Sequence, residues 1–153
     1  MQVRPTRAED RRACALLYAA VAEERRYIGG EPPIDIEKRA ETWSIDGDFV
    51  AEADGEVIGN LHVQATHHGF GIIGMMVAKD WRGRGVGSAL MEAAIAYARE
   101  QNLHKLILDV FVHNEAAIAL YKKFGFVEEG RRVKQYRRKS GEFWDSLEMG
   151  LLL

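Results

Sequence analysis

The segment best suited to chemistry is a glycine- and arginine-rich run over residues 81–90, WRGRGVGSAL, between an apolar strand and an amphipathic helix. Glycines at alternate positions let the backbone curl so that successive N–H groups point into one concavity. The first turn of the following helix adds unpaired N–H groups and a partial positive charge, and two arginines add full charges. This combination predicts a diphosphate site. The residues expected to form it are Arg82, Gly83, Arg84, Gly85, Val86, Gly87 and Ser88.

Two other nucleotide-binding patterns fit this run less well. The P-loop pattern is absent, which argues against a nucleoside triphosphatase. The dinucleotide pattern G-x-G-x-x-G nearly fits from Gly83, but its third glycine falls on Ser88, and a hairpin rather than a βαβ unit precedes it. An oxidoreductase that uses Asp109, about twenty residues later, stays open as an alternative. So does a loop whose glycines only make a tight turn.

Hydrophobic periodicity and turn residues predict the elements that must position this loop. Thr6 and Glu9 match a capping box at the start of a first helix. The apolar strand at residues 70–78 is expected at the centre of the sheet. The full order is β-α-α-β-β-β-α-β-α-β-β, with a final hairpin turning at Ser140-Gly141. We therefore expect one domain over residues 1–153, of the α/β (α+β) class, with a mixed, mostly antiparallel sheet and helices on both faces.

Composition excludes several classes of protein. The net charge of −2 provides no global field for nucleic acid or an anionic membrane, and the basic residues at 131–139 fall on both faces of a predicted strand. The single cysteine, Cys14, excludes an internal disulfide and suits a reducing compartment. Neither a signal peptide nor a run of ~18 apolar residues is present. We expect a soluble, cytoplasmic protein with no nucleic-acid or membrane partner. His67 and His68 lack further ligands, so no metal is expected.

The loop resembles the pyrophosphate-binding signature of the GNAT superfamily of N-acetyltransferases, Q/R-x-x-G-x-G/A, which Arg82, Gly85 and Gly87 fill. A second family pattern is an Asn at the end of a strand, followed by a helix that reads A-x-x-L-Y-x-x-x-G-F. Residues 114–126 match it, with Asn114 and Tyr121 at its polar positions. The order and spacing of the two blocks agree over nearly the whole chain. Both ends look like the phosphinothricin-type and ribosomal-protein acetyltransferase branch.

The resemblance implies transfer of the acetyl group of acetyl-CoA to a primary amine of a small molecule or peptide, by direct attack in a ternary complex. It implies that the strand before the loop carries a bulge and parts from its neighbour, so that the pantetheine arm lies in the gap. The backbone of Met76 and Val77 would contact the arm, as would Asn114. The hydroxyl of Tyr121 would hydrogen-bond or protonate the departing thiolate. A non-catalytic acetyl-CoA sensor is the alternative.

The sequence leaves the route of the amine proton open. Several relatives place a glutamate base at the position of Gly71, but residues 69–78 contain no carboxylate. The candidates are Glu23, Glu24, His68 and a chain of waters. We expect Glu24 to contact the acceptor and to take part in catalysis.

The apolar run Met149–Leu153 and the long strands before it suggest a covered surface. Related acetyltransferases often pair through this region. We therefore expect a homodimer built partly through the C-terminal strands. The competing expectation is that all three final leucines pack within one subunit.

Overall fold

The chain forms seven strands and four helices in the predicted order, in a computed structural model that describes residues 1–153. Short 3-10 turns precede α1 and the loop at residues 82–85. The elements are β1 (Gln2–Pro5), α1 (Arg11–Glu23), α2 (Ile36–Glu41), β2 (Asp48–Ala53), β3 (Glu56–Ala65), β4 (Phe70–Val77), α3 (Val86–Glu100), β5 (Lys105–Phe111), α4 (Glu115–Lys123), β6 (Val127–Arg137) and β7 (Phe143–Leu152).

All seven strands form one sheet in the order β1-β2-β3-β4-β5-β7-β6, with β4 at its centre as predicted. Five of the six strand pairs are antiparallel, and only β4–β5 is parallel. The mixed, mostly antiparallel sheet is therefore confirmed. A doubly wound parallel sheet, which the oxidoreductase alternative needs, is excluded.

The central strand β4 separates from one of its neighbours. It pairs with β5 only over Phe70–Ile72, opposite Lys105–Ile107, and beyond that point the two strands diverge. On its other side, β4 keeps a single register with β3 from Gly59 opposite Val77 to Ala65 opposite Gly71. The parting of the strands is as the resemblance implied. The expected bulge in this strand is wrong, because the β3–β4 ladder runs without a register shift.

Helices cover both faces of the sheet. Helix α3 buries Leu90 and Met91 in the main apolar core, where Leu61 of β3 and Leu106 of β5 also lie. Helix α1 packs Leu17 and Val21 against Met76 on the opposite face. Burial of these apolar side chains, at about 25 cal/mol per Å² of surface removed from water, stabilises both layers.

The entry to α1 differs from the expected capping box of Thr6 and Glu9. The side chain of Asp10 accepts a hydrogen bond from the backbone N–H of Arg7 at 2.7 Å. The Thr6 hydroxyl instead donates to the buried carboxylate of Asp48 at 2.7 Å. The predicted capping box is wrong because the Thr6 hydroxyl, which local spacing assigns to the helix, bonds to the distant carboxylate of Asp48.

Candidate active site

The glycine-rich loop presents free N–H groups at the start of α3. Gly85 precedes the helix in the left-handed region, with φ 85°, and no side chain caps its first turn. Ala89 is the first residue whose N–H bonds back within the helix, to the Gly85 carbonyl at 3.1 Å. The N–H groups of Val86, Gly87 and Ser88 therefore lack helical partners. Together with the helix dipole they form an anion site.

A cavity of about 330 Å³ lies between this loop, β4 and α4. It brings together ten of the eleven residues expected to bind the cofactor. The exception is Arg84, whose guanidinium carbon lies 4.0 Å from the ring centre of Trp81, outside the cavity. The expected residues that line it are Met76, Val77, Arg82, Gly83, Gly85, Val86, Gly87, Ser88, Asn114 and Tyr121.

The backbone of β4 is open towards the gap at alternate residues. The N–H of Ala78 donates to Ile58 of β3 at 2.8 Å. Because backbone groups two residues apart in a strand point the same way, Met76 also directs its N–H and C=O to β3. Met75 and Val77 direct theirs to the gap. Of the expected pair, Val77 thus fits a backbone contact, and Met75 takes the position assigned to Met76.

Glu24 and Arg82 form an ion pair beside the loop. The Arg82 Nη1 and Nη2 atoms donate to the two carboxylate oxygens of Glu24 at 2.6 and 2.7 Å, and Nε donates to the Val77 carbonyl at 3.0 Å. The bonds to Glu24 raise the pKa of Arg82 above its usual value. The geometry differs from our expectation for Glu24, because its two oxygens already accept bonds and it does not line the cavity. It is placed to position Arg82.

Tyr121 projects from α4 into the core end of the cavity. Its side chain is buried at 6% exposure, and burial raises its pKa to about 12. No protein group accepts a hydrogen bond from its hydroxyl, so the group is free to bind a ligand. A phenol of this pKa stays protonated at neutral pH and acts as a donor. Asn114 lies nearby and caps α4 by accepting a bond from the Ala117 N–H at 3.3 Å.

A smaller cavity of about 210 Å³ continues past Tyr121 to the other side of the gap. It contains Asp109 of β5, whose Oδ2 accepts a hydrogen bond from the Tyr136 hydroxyl at 2.6 Å. Burial, with this bond, raises the pKa of Tyr136 to about 12. Ser146 also lines the cavity, fully buried, with a hydroxyl that has no partner. Sequence reasoning missed this cluster and named Asp109 only under the oxidoreductase alternative.

The other proton-route candidates lie elsewhere. His68 belongs to the turn before β4, where its ring stacks near that of Phe70. The eight residues of β4 from Phe70 to Val77 separate it from the loop by about 23 Å. Glu23 is exposed and lines neither of these two cavities. Asp109 is therefore the carboxylate that lies in one cavity with Tyr121.

Together these features suit one kind of chemistry. An anion site lies at one end of a cleft, and strand-edge backbone groups extend along it. A protonated phenol and a carboxylate lie at its inner end. A long phosphate-bearing donor can lie along such a cleft and meet an amine there.

Comparisons with known proteins agree with this architecture. A ribosomal-protein-alanine N-acetyltransferase structure from Brucella melitensis superposes with a TM-score of 0.88 at 29% identity, covering 100% of both chains. A phosphinothricin acetyltransferase from Sinorhizobium meliloti, solved with acetyl-CoA, has the same fold, with a TM-score of 0.89 at 21% identity, over 99% of this chain and 88% of that one.

Curated sequences match over part of their length. The L-amino acid N-acetyltransferase AaaT of Escherichia coli is 36% identical over 106 residues, or 66% of this chain and 65% of that protein. The chain spans 40% and 44% of two further relatives. The family model described as "Acetyltransferase (GNAT) family" matches residues 12–126, well over half of the 153 residues. The resemblance in the sequence is thus confirmed, and the chain belongs to the acetyltransferase (GNAT) family.

Proposed function

We propose that this protein is an N-acetyltransferase that moves the acetyl group of acetyl-CoA onto a primary amine of a small molecule or peptide. The observation that carries the proposal is the continuous cleft from the free N–H groups of α3 to the hydroxyl of Tyr121. The diphosphate would lie on the N–H groups of Val86, Gly87 and Ser88. The gap-facing backbone of Met75 and Val77 would bind the extended arm.

The reaction needs a proton acceptor and a proton donor. An alkyl ammonium of pKa ~10 must lose a proton before its nitrogen can attack the thioester carbon. Asp109 accepts that proton in this proposal, and the bond from Tyr136 holds its carboxylate in place. The C–N bond then forms as the C–S bond breaks, and the electron pair of that bond remains on sulfur. Tyr121 donates a hydrogen bond to this sulfur.

Two measurements test the proposal. Acetyl-CoA should bind by calorimetry and raise the melting temperature, by mass action on the folded state. A panel of amines, amino acids and short peptides should release free CoA thiol. Binding without turnover on any amine would favour a non-catalytic sensor, and absence of binding at millimolar acetyl-CoA would refute the proposal.

Asp109→Asn tests the proton route. The substitution keeps the shape of the side chain and its bond from Tyr136 but removes the carboxylate that accepts the proton. We expect turnover to fall by about 100-fold, the range of general base catalysis, with little change in acetyl-CoA binding. Tyr136→Phe is the matched variant, because it leaves the carboxylate but removes its hydrogen bond, and it should have a smaller effect. Equal turnover of wild type and Asp109→Asn would exclude this route.

We also propose that the protein is a cytoplasmic homodimer that pairs through its C-terminal strands. Strand β6 is the outer strand of the sheet, and Val133 on it is 69% exposed. Of the final leucines, Leu151 and Leu153 pack against the core and Leu152 is 77% exposed, so the leucines alone do not account for an interface. No helix is long and apolar enough to cross a membrane. Light scattering that gives a mass near 17.2 kDa would refute the dimer.

A further inference from the structure

A cavity of about 400 Å³, which we call the Arg39 cavity, lies on the α1–α2 side of β4. It adjoins the cleft for the acyl donor, since Ile28, Met75 and Met76 line both. It contains one arginine, one histidine and one aspartate. Of the residues that line it, the proposed donor site uses only the backbone of Met75.

Arg39 on α2 has no anionic partner in the protein. Its guanidinium carbon lies 3.3 Å from the ring centre of Tyr18 and 5.9 Å from that of Trp43. The Nε atom is buried and makes no hydrogen bond. The guanidinium takes part in no ion pair. An arginine held over aromatic rings with its donors unused is preorganised for bidentate binding of an acid group.

The aspartate of the cavity, Asp48, already accepts hydrogen bonds from other side chains of the protein. Asp48 is 2% exposed, and its Oδ2 accepts hydrogen bonds from the side chains of Thr6, Trp43 and Asn60 at 2.7 to 3.1 Å. The Nδ1 atom of His62 lies 3.3 Å from Oδ1. Asp48 thus already has four neighbouring donors, and it forms no ion pair with the guanidinium of Arg39. The unpaired guanidinium of Arg39 is therefore the group of this cavity that is left to bind an acid group.

A path connects this cavity with the reaction centre. Gly74 lies opposite His62 in the β3–β4 register, and a Cβ at Gly74 would meet no atom within 4 Å. Gly74 lines the Arg39 cavity and also the smaller cavity that holds Asp109 and Tyr121. Because Gly74 has no side chain, no side chain at this position separates the Arg39 cavity from the smaller cavity. One small molecule can thus occupy both.

We propose that the Arg39 cavity binds the carboxylate of the acceptor. The acceptor is then a small molecule with both a primary amine and a carboxylate, as in amino acids. Arg39 binds the carboxylate, and the exposed hydroxyl of Ser44 provides a further donor. The amine extends past Gly74 towards Asp109. This inference rests on the proposed function, because it names the substrate class of the same site.

The experiment compares each acid with its own amide. The 20 L-amino acids are assayed as acceptors, and each active one is compared with its primary amide, which keeps the amine and removes the negative charge. The variants are Arg39→Gln and Arg39→Lys, with Lys38→Gln as the control. Lys38→Gln removes a charge from an exposed position of the same helix, outside the cavity.

We expect the wild type to prefer the acid over its amide. In Arg39→Gln, kcat/KM for the acid should fall by roughly 10- to 100-fold, as for loss of hydrogen bonds to a charged group, and kcat/KM for the amide should change little. Arg39→Lys should retain part of the preference, because it keeps the charge but loses the planar fork. The control should behave as wild type. The ratio of kcat/KM for the acid to kcat/KM for the amide is insensitive to partial unfolding, because both values are measured on the same sample of protein.

The outcomes separate this inference from the proposed function. Amines accepted without any preference for acids, or a preference that survives in Arg39→Gln, would overturn the inference and leave the acetyltransferase intact. If no amine is acetylated, the proposed function fails instead. The cavity is then tested by calorimetric titration of the same amino acids onto the free protein. Binding that is lost in Arg39→Gln supports the anion site, and binding that is absent or independent of Arg39 refutes it.

Discussion

Replacing Tyr121 with phenylalanine isolates the part of the hydroxyl in the reaction. The hydroxyl makes no hydrogen bond to the protein, and the ring is buried between α4 and the core, beside Phe126 at 5.7 Å between ring centres. Tyr121→Phe keeps the ring and removes only an oxygen that stabilises no other group. We therefore expect the free energy of unfolding to change by less than about 1 kcal/mol.

The effect on turnover follows from two pKa values. Burial raises the pKa of Tyr121 to about 12, whereas an ordinary thiol has a pKa of ~8.5. Complete transfer of the proton to the thiolate would be uphill by about 3.5 pKa units, or about 5 kcal/mol. Tyr121 therefore donates a hydrogen bond to the developing charge and does not transfer its proton in full. Loss of one such donor costs about 3 kcal/mol, or roughly 100-fold in rate.

Single-turnover measurement of CoA thiol release tests this value, with protein in excess and saturating acceptor, so that product release does not limit the rate. Calorimetry gives the Kd for acetyl-CoA in parallel. We expect the rate constant to fall about 100-fold, and the Kd by contrast to change less than about threefold, because the charge develops only on reaction. An unchanged rate constant would show that Tyr121 only packs in the core and takes no part in the reaction. A loss of affinity equal to the loss of rate would show that the hydroxyl binds the ground state.

Three further predictions concern the loop, the ion pair and the core. Gly85→Ala should weaken acetyl-CoA binding and lower the free energy of unfolding by about 1 kcal/mol. The cost arises from the left-handed φ of 85°, since the added methyl group would meet no atom of the protein within 4 Å. Gly87→Ala should lower the melting temperature more, because its Cβ would lie 2.8 Å from an α4 leucine methyl; the reverse order would contradict this. Glu24→Gln should raise KM for acetyl-CoA because it removes the negative charge that pairs with Arg82 and one of the two acceptor oxygens. A kcat–pH profile that loses its fall at acid pH would instead identify Glu24 as the base. Burial raises the pKa of Cys14 from 9.0 to about 12, so only the unfolded thiol ionises in that range. Stability by urea unfolding should therefore fall as pH rises from about 9, and less steeply in Cys14→Ala.

Local sequence patterns predicted most of the fold and the donor half of the site. The glycine-rich run was expected between a strand and a helix and lies between β4 and α3, and the family-pattern residue Asn114 precedes α4 and caps it. Each of these features depends on residues within a few positions of one another. For that reason the strand, loop and helix boundaries could be read from one sequence. The strand predicted at residues 70–78 ends one residue earlier, at Val77, within the one or two residues by which assignments of element ends differ.

Contacts between distant residues were not predictable in the same way. Arg82 and Glu24 are 58 positions apart, and both seemed free for ligands until the fold paired them. The buried Asp48 lies beside donors from three separate segments, at Thr6, at Trp43 and on β3, and no local motif records this arrangement. A signal for Asp109 did exist, since a charged residue in a central strand between apolar neighbours is uncommon and needs an explanation. From the sequence alone, Asp109 was named only under the oxidoreductase alternative, because the order of the strands was not yet known.

The acceptor side of the site depends on how far β4 and β5 part, and the sequence does not encode that in any single residue. The two strands pair at Phe70–Ile72 and then diverge, although apolar residues predominate in both beyond that point. The divergence exposes the backbone of Met75 and Val77 on one side and opens the space over Gly74 on the other.

If acceptor specificity resides in this gap between β4 and β5, substitutions that narrow the gap should change the choice of amine more than the affinity for acetyl-CoA. Gly74→Ala tests this, because its added methyl meets no neighbour within 4 Å and would fill only the path to Asp109. We expect kcat/KM for bulky acceptors to fall at least tenfold while the Kd for acetyl-CoA stays within about twofold. Parallel losses in both quantities would show that one continuous space serves donor and acceptor alike.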